Sequence, residues 1–253
     1  MPDRFNLPIP NLYDAKKILA IQPHYDDNDI PAGGTLAALA AAGIEVVYLT
    51  CSDDQMGVID ENWSFQEADA RLKQDQKDAA QIIGVKRQHW LQGYPDAGEY
   101  NYFTLRRDIM KIMRLESPDT LFTVDPWLPY EAHTDHIMVG KAAAEAAMLC
   151  GFKRIKTDPE VDAAYTPHDI RCVAFYGSQR PNTCFDISQT IEKKIQAVRC
   201  YHAQFHEEEL EMLAGYVEMR ARKCAEGRDF AFGEMLKVVT SHHLHGNTGA
   251  WNF

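Results

Sequence analysis

The chain has 253 residues, 45% of them hydrophobic and 25% charged, with a formal net charge of −11 at pH 7. This is an ordinary globular composition with enough apolar material for a sizeable core. The acidic balance argues against a nucleic-acid partner or an anionic membrane surface and favours a neutral or cationic small molecule.

Strand and helix signals alternate from the start. KKILAIQP is a short β-rich run, and Ala32 to Ala42 is an Ala/Leu-rich helix closed by Gly43. EVVYLTC reads as the next strand, and Phe65 to Ile83 has helical spacing that stops at Gly84. RQHWL resembles a brief strand, Leu105 to Leu115 an amphipathic helix broken by Ser117-Pro118, and TLFTVDP another strand. Ile137 to Leu149 is a helix ended by Gly151. Residues 152–170 look irregular, RCVAFYG and TCFDIS look like strands, and Ile191 to about Gly227 is mostly helical. The alternation predicts an α/β fold: a Rossmann-like, mostly parallel sheet flanked by helices, with an additional C-terminal strand and helix region. A single domain over residues 1–253 is expected.

Six cysteines lie far apart with no CxxC pair, several inside apolar runs, and buried free thiols in a reducing cytoplasm are the expectation. No apolar run approaches the ~20 residues that cross a bilayer. MPDRFNLPIPNLYDAKK has no basic region followed by an apolar stretch, so no signal peptide is visible.

Two clusters carry the chemistry. His24, Asp26 and Asp27 follow the first strand, and His133, Asp135 and His136 follow the strand TLFTVDP. Both therefore occupy strand-to-helix junctions, where an open α/β sheet gathers its catalytic groups. Residues three apart on a turn converge, and His133 and His136 share one face of a helix start. His24, Asp27 and one of these two histidines make a His₂-carboxylate set, the ligand pattern of a catalytic zinc site with a water in the fourth position. Zinc lowers the pKa of such a water towards ~7. Asp26 is then placed to take its proton, and the remaining histidine to serve the oxyanion or the leaving amine. Asp135 is placed to orient an imidazole from behind. The plainer readings are that Asp26, Asp27 and Asp29 cap a helix and that HTDH is a solvated helix start with Asp135 as its cap. Two such clusters at the same topological position favour a metal. Gly33-Gly34-Thr35 matches no phosphate-loop pattern, and close packing is its expected role.

These residues resemble a family. PHYDDND followed by GGTLA, with HTDH later, is similar to the signatures P-H-P-D-D-E and H-P-D-H of the PIG-L/LmbE-like zinc-dependent N-acetylglucosaminyl deacetylases. YLTCSDDQMG, RLKQDQKDAAQIIGV, GYPDAG and FDISQTIEKKIQAVRCYHAQF resemble further family segments in the right order. The resemblance implies zinc on His24, Asp27 and His136, though another divalent ion suits such a site. It also implies Asp26 as general base, His133 as the imidazole serving the intermediate or the amine, and Arg71 and Asp96 on sugar hydroxyls. The implied reaction is hydrolysis of an N-acyl group, usually acetyl, from an amino sugar, and the resemblance leaves room for a homo-oligomer. Tyr25, Asn28, Thr134 and Gln74 depart from the family pattern without removing a proposed ligand or base. Alternatives are an amidase of the same mechanism on a larger conjugate, and a non-catalytic sugar- or nucleotide-binding module.

Near the C-terminus, His242, His243 and His245 are expected in a solvated tail. Trp63, Trp90, Tyr94, Tyr100, Tyr102, Trp127 and Tyr130 supply candidates for a pocket rim, with core packing the usual role of such residues.

Overall fold

The computed structural model describes residues 8–246. Seven strands form one sheet in the order β3-β2-β1-β4-β5-β7-β6. They are β1 (Lys17–Gln22), β2 (Glu45–Thr50), β3 (Arg87–Trp90), β4 (Thr120–Val124), β5 (Cys172–Tyr176), β6 (Thr183–Asp186) and β7 (Gly233–Val239). The first five run parallel, whereas β7 is antiparallel to both β5 and β6.

The central strands are apolar throughout because both faces of the sheet are covered, as parallel strands require. Ile18, Ala20, Val46, Tyr48, Phe122 and Ala174 feed one core with α1 (Asp29–Ala41), α2 (Phe65–Ile83), α6 (Ile191–Val198) and α7 (Glu207–Cys224). Leu19, Ile21, Val47, Leu49, Leu121 and Val173 feed the other, with α3 (Tyr102–Glu116) and α4 (Thr134–Leu149).

Local chemistry sets the helix ends. Ser64 and Glu67 form a reciprocal capping box at the start of α2, and Gly84, at φ 95°, ends it in the left-handed region. Asn101 accepts from the Thr104 N–H and starts α3 three residues before the expected Leu105; Ser117, at φ 49°, ends it. Helices α1 and α4 also begin three residues earlier than their apolar patterns indicate, because their first turns carry polar residues, Asp29 in α1 and Asp135 and His136 in α4. The connection 152–170 contains a short helix, α5 (Pro159–Ala164), capped by Asp158.

The pair β6–β7 completes the C-terminal region. Strand β7 is not obvious in sequence because its apolar run contains Glu234 and Lys237, both buried. Glu234 accepts hydrogen bonds from the Gly34 and Thr35 N–H groups, the Thr35 hydroxyl and the Lys194 ammonium, at 3.0, 2.7, 2.5 and 2.5 Å. An internal carboxylate thus occupies the backbone donors that a phosphate-binding reading of Gly33-Gly34-Thr35 would need. Gly34 also permits a close approach: a Cβ there would lie 2.7 Å from Ile187 Cδ1.

The solvated-tail expectation holds for His242 and His245, which are exposed, and fails for His243. Ser241–Leu244 is a 3₁₀ turn packed against α4, and His243 is buried with its Nδ1 on the Thr240 N–H. All six cysteines are free, three of them buried.

Replacing Glu234 by alanine strands a buried ammonium and three further donors. We expect a loss of about 3–5 kcal/mol, read from the midpoint of denaturant unfolding, with a smaller loss for Glu234→Gln.

Candidate active site

The chain runs β1, β2, β3 to one edge of the sheet and then crosses to β4 on the other side of β1. The C-terminal ends of β1 and β4 therefore flank the switch in strand order, where open α/β sheets form their binding crevice. His24, Asp26 and Asp27 leave β1 on a turn, and His133, Asp135 and His136 open α4 beyond β4, so the two clusters meet.

Neither cluster is a helix cap. The α1 cap position is Asn28, whose side chain makes no capping bond, and the α4 cap position is His133, likewise without one. Asp135 lies inside the first turn and is fully buried.

His24 divides its two nitrogens. Its Nδ1 lies 3.1 Å from Asp27 Oδ2, while its Nε2 faces Asp96 Oδ1 at 3.2 Å and Asp135 Oδ2 at 3.4 Å. His136 does the same: Nε2 is 3.4 Å from Asp27 Oδ1, and Nδ1 is 3.5 Å from Glu131 Oε2. Donor atoms of His24, Asp27 and His136 all lie within 4.8 Å of one another. A tetrahedral ion with bonds of ~2.0–2.1 Å sets its donors roughly 3.3 Å apart, so these separations suit a shared cation. His24, Asp96, His133 and Asp135 form a second such group. The two overlap at His24. A metal-bound imidazole turns its other N–H to a carboxylate, and His24 offers that arrangement to both groups, with Nδ1 towards Asp27 and Nε2 towards Asp96 and Asp135.

The carboxyls differ sharply. Burial and the adjacent Asp27 charge push Asp26 up to about 7. Burial also disfavours charge on Asp27, but the His24 hydrogen bond and the His136 charge prevail and hold it below the usual carboxylate range. Asp135, although desolvated, falls to about 2 because His24, Tyr100 and the Ala97 N–H all bond its charged form.

A cleft of about 250 Å³ lies over the cluster, walled by Asp26, Asp54, Met56, Asp96, His133 and Gln204 among others. A larger cavity of about 410 Å³, beside Trp127 and Phe175, contains none of the clustered residues. Among the predicted site residues, Arg71 stands apart. It is exposed, stacked 4.4 Å from the Trp63 ring, and does not line the cleft. Of the aromatic candidates, Tyr94, Tyr100 and Tyr102 are tied by their hydroxyls to Asp108, Asp135 and Glu145. Trp127 and Tyr130 are exposed on the β4–α4 loop, Tyr130 at φ 69°.

Asp54, Gln204 and Glu131 were not singled out in the sequence. Asp54 had a usable signal, since it follows β2 at the same edge of the sheet. Gln204 lies in the stretch FDISQTIEKKIQAVRCYHAQF, whose resemblance to a family segment was its only signal, because it arrives from a distant loop.

Residues 19–147 match the family model described as PIG-L, GlcNAc-PI de-N-acetylase. The chain belongs to the PIG-L family. A relative in Thermococcus kodakarensis, described as diacetylchitobiose deacetylase, is 36% identical over 239 residues, covering 91% of this chain and 89% of that protein. The solved N,N'-diacetylchitobiose deacetylase of Pyrococcus horikoshii superposes with a TM-score of 0.87 at 32% identity, covering 97% of this chain and 92% of that one. A 1D-myo-inositol 2-acetamido-2-deoxy-α-D-glucopyranoside deacetylase of Rhodococcus jostii is 31% identical over 159 residues, 52% of this chain and 54% of that protein. The mixed sheet with a parallel centre is thus the PIG-L fold.

Asp135 offers a direct check on the outer layer. Asp135→Asn should weaken metal retention by roughly tenfold to a hundredfold, measured by competition with a chelator. Tyr100→Phe, which leaves the carboxylate in place, should weaken it less.

Proposed function

We infer that this chain is a metal-dependent N-deacetylase of amino sugars, hydrolysing the acetamide of an N-acetylglucosamine unit. The observation that carries it is the convergence of His24, Asp27 and His136 in a PIG-L fold, beside a cleft that His24 and Asp26 line. The relatives described as acting on diacetylchitobiose and on a 2-acetamido-2-deoxyglucoside support an N-acetylated sugar as substrate.

His24, Asp27 and His136 would hold the ion, and two imidazoles with one carboxylate suit zinc while admitting other divalent ions. When bound, the ion supplies Lewis acidity towards the amide carbonyl and towards water. Asp26 lies next to a proposed ligand, lines the cleft and exchanges a proton near neutrality, so it serves as the general base for the attacking water. The water oxygen bonds to the acyl carbon, the C–N bond breaks, and the products are a carboxylate and an amine. His133, with a side chain 41% exposed and its ring centroid 4.6 Å from that of His24, faces the cleft outside the set His24, Asp27 and His136. It is free to stabilise the developing oxyanion or to protonate the departing nitrogen. Asp96 holds His24 with one oxygen and forms part of the cleft wall, where it can also meet a sugar hydroxyl. Arg71, stacked on Trp63 and absent from the cleft wall, is given no part in this reading.

Six free thiols fit a reducing, cytoplasmic setting. No helix among the described residues is long and apolar enough to cross a membrane.

Amine release from diacetylchitobiose should stop on chelation and return with added zinc; turnover that survives exhaustive chelation would sink the metal mechanism. Asp26→Ala should lower kcat by roughly a hundredfold to ten-thousandfold with bound metal near the parent level. Loss of metal instead would make Asp26 a ligand and the base assignment wrong.

A further inference from the structure

We propose that Asp54 is a positioning residue, which fixes the turn bearing His24, Asp26 and Asp27 by accepting the Tyr25 N–H. The inference rests on the reading of that turn as the metal-holding and proton-accepting element.

The peptide groups around Tyr25 are held from both sides. The Tyr25 carbonyl accepts from Gln22 Nε2 at 3.0 Å, Gln76 Nε2 at 3.3 Å and the Tyr201 hydroxyl at 3.0 Å. The Tyr25 N–H donates to Asp54 Oδ2 at 3.2 Å. Tyr25 and Asp54 are both buried. Residue 25 lies between a proposed ligand and the proposed base, so a rotation of its peptide planes would move His24 and Asp26 in opposite senses. The bonds from Gln22, Gln76 and to Asp54, with the Tyr201 hydroxyl shared between the Tyr25 carbonyl and Asp29, resist that rotation.

Asp54 owes its reach to an unusual backbone. It sits at φ 55°, ψ 27°, a left-handed conformation that costs a residue other than glycine and persists where the surroundings fix it. Asp53, just before it, accepts the Asp96 N–H at 2.9 Å, and the Met56 N–H just beyond donates to Asp96 Oδ2 at 3.1 Å. The segment Ser52–Met56 therefore brackets two parts of the site. On one side it holds the turn after β1, where Ser52 also bonds the Pro23 carbonyl through N–H and hydroxyl at 2.9 and 3.0 Å. On the other it holds Asp96, an outer acceptor for His24.

The departure of this chain from the family signature gains a meaning here. A proline at position 25 has no N–H to give. The Asp54 bond exists because tyrosine stands there, so the turn is held by a side chain from the next loop instead of by a ring closed on its own backbone.

The test compares variants of the metal-loaded, full-length protein, reading bound metal, kcat and KM on diacetylchitobiose. Asp54→Ala should lower kcat and metal affinity by roughly tenfold to a hundredfold, the range for outer groups that orient ligands, with little change in KM. Asp54→Asn keeps an acceptor oxygen and should recover most of the loss. In a Tyr25→Phe background, which keeps the N–H, the Asp54→Ala loss should persist in full; in a Tyr25→Pro background it should largely vanish. If Tyr25→Pro does not fold, the alanine and asparagine comparison decides alone. A loss seen mainly in KM, or an asparagine variant as impaired as the alanine one, means that Asp54 meets substrate through its charge and overturns the proposal. A parent that turns over substrate while Asp54→Ala matches it also overturns the positioning role and leaves the deacetylase reading intact. A parent with neither bound metal nor turnover overturns the deacetylase reading, and this inference falls with it.

Discussion

The site depends on how two imidazoles divide their nitrogens. His24 and His136 each send one nitrogen towards Asp27 and the other towards carboxylates outside the shared centre: Asp96 and Asp135 for His24, Glu131 for His136. An imidazole pinned at both ends cannot rotate about its Cβ–Cγ bond, and its protonated nitrogen is chosen by the outer acceptor. The outer carboxylates are held in turn. Asp135 takes the Tyr100 hydroxyl and the Ala97 N–H, and Asp96 takes the Met56 N–H. The hydrogen-bond network therefore extends from His24, Asp27 and His136 into α4, the β3–α3 loop and the β2–α2 loop.

That arrangement presupposes the sheet. Only because β4 pairs with β1, with Ile21 opposite Thr123, do segments a hundred residues apart end side by side. Beneath the turn after β1 a second buried network fixes the start of α1. Asp29 accepts from the hydroxyls of Tyr48 and Tyr201, and Glu234 holds Gly34, Thr35 and Lys194. Burial pushes Asp29 up to about 6 despite the two tyrosine bonds that oppose the shift. The C-terminal strand and helices thus do more than close the sheet: through Tyr201 and Glu234 they anchor the element that carries the chemistry.

The parallel half of the fold was legible because its signals are local. Apolar runs marked β1, β2, β4 and β5, and helical spacing with the stop at Gly84 fixed α2 to the residue. The helices beginning with Asp29 and Thr134 were placed late, since polar site residues in a first turn hide the apolar period that announces a helix. Strand β7 was obscured for a related reason: Glu234 and Lys237 are buried against partners that only the folded chain supplies. At the site, His24, Asp26, Asp27, His133, Asp135 and His136 were readable as two clusters, and the structure brings them together. Which nitrogen faces which carboxylate was not readable, because Asp96 and Asp135 reach His24 from different loops. Asp54 could be placed near the site by its position after β2, but its contribution is one bond to a backbone N–H, which no spacing rule encodes.

The same distinction explains why departures from the family signature leave the chemistry in place. Tyr25, Asn28 and Thr134 all fall on positions that shape the turns and supply no donor to the shared centre. The Asn28 side chain donates to the Ala20 carbonyl, and its backbone N–H donates to Gln22 Oε1, so it ties the turn to the strand it leaves. Thr134 is exposed at the first position of α4, where proline is favoured by its fixed φ but is not required. Tyr25 exchanges a ring constraint for hydrogen bonds from both faces of its peptide. Geometry that one branch of a family secures by restricting φ is secured here by tertiary hydrogen bonds. These are contributed by α2, by Tyr201 and by the loop after β2, the last of which also walls the cleft. Substitutions in that loop are therefore expected to act on the turn and on the substrate space together, coupling the two more closely than a proline-built turn would.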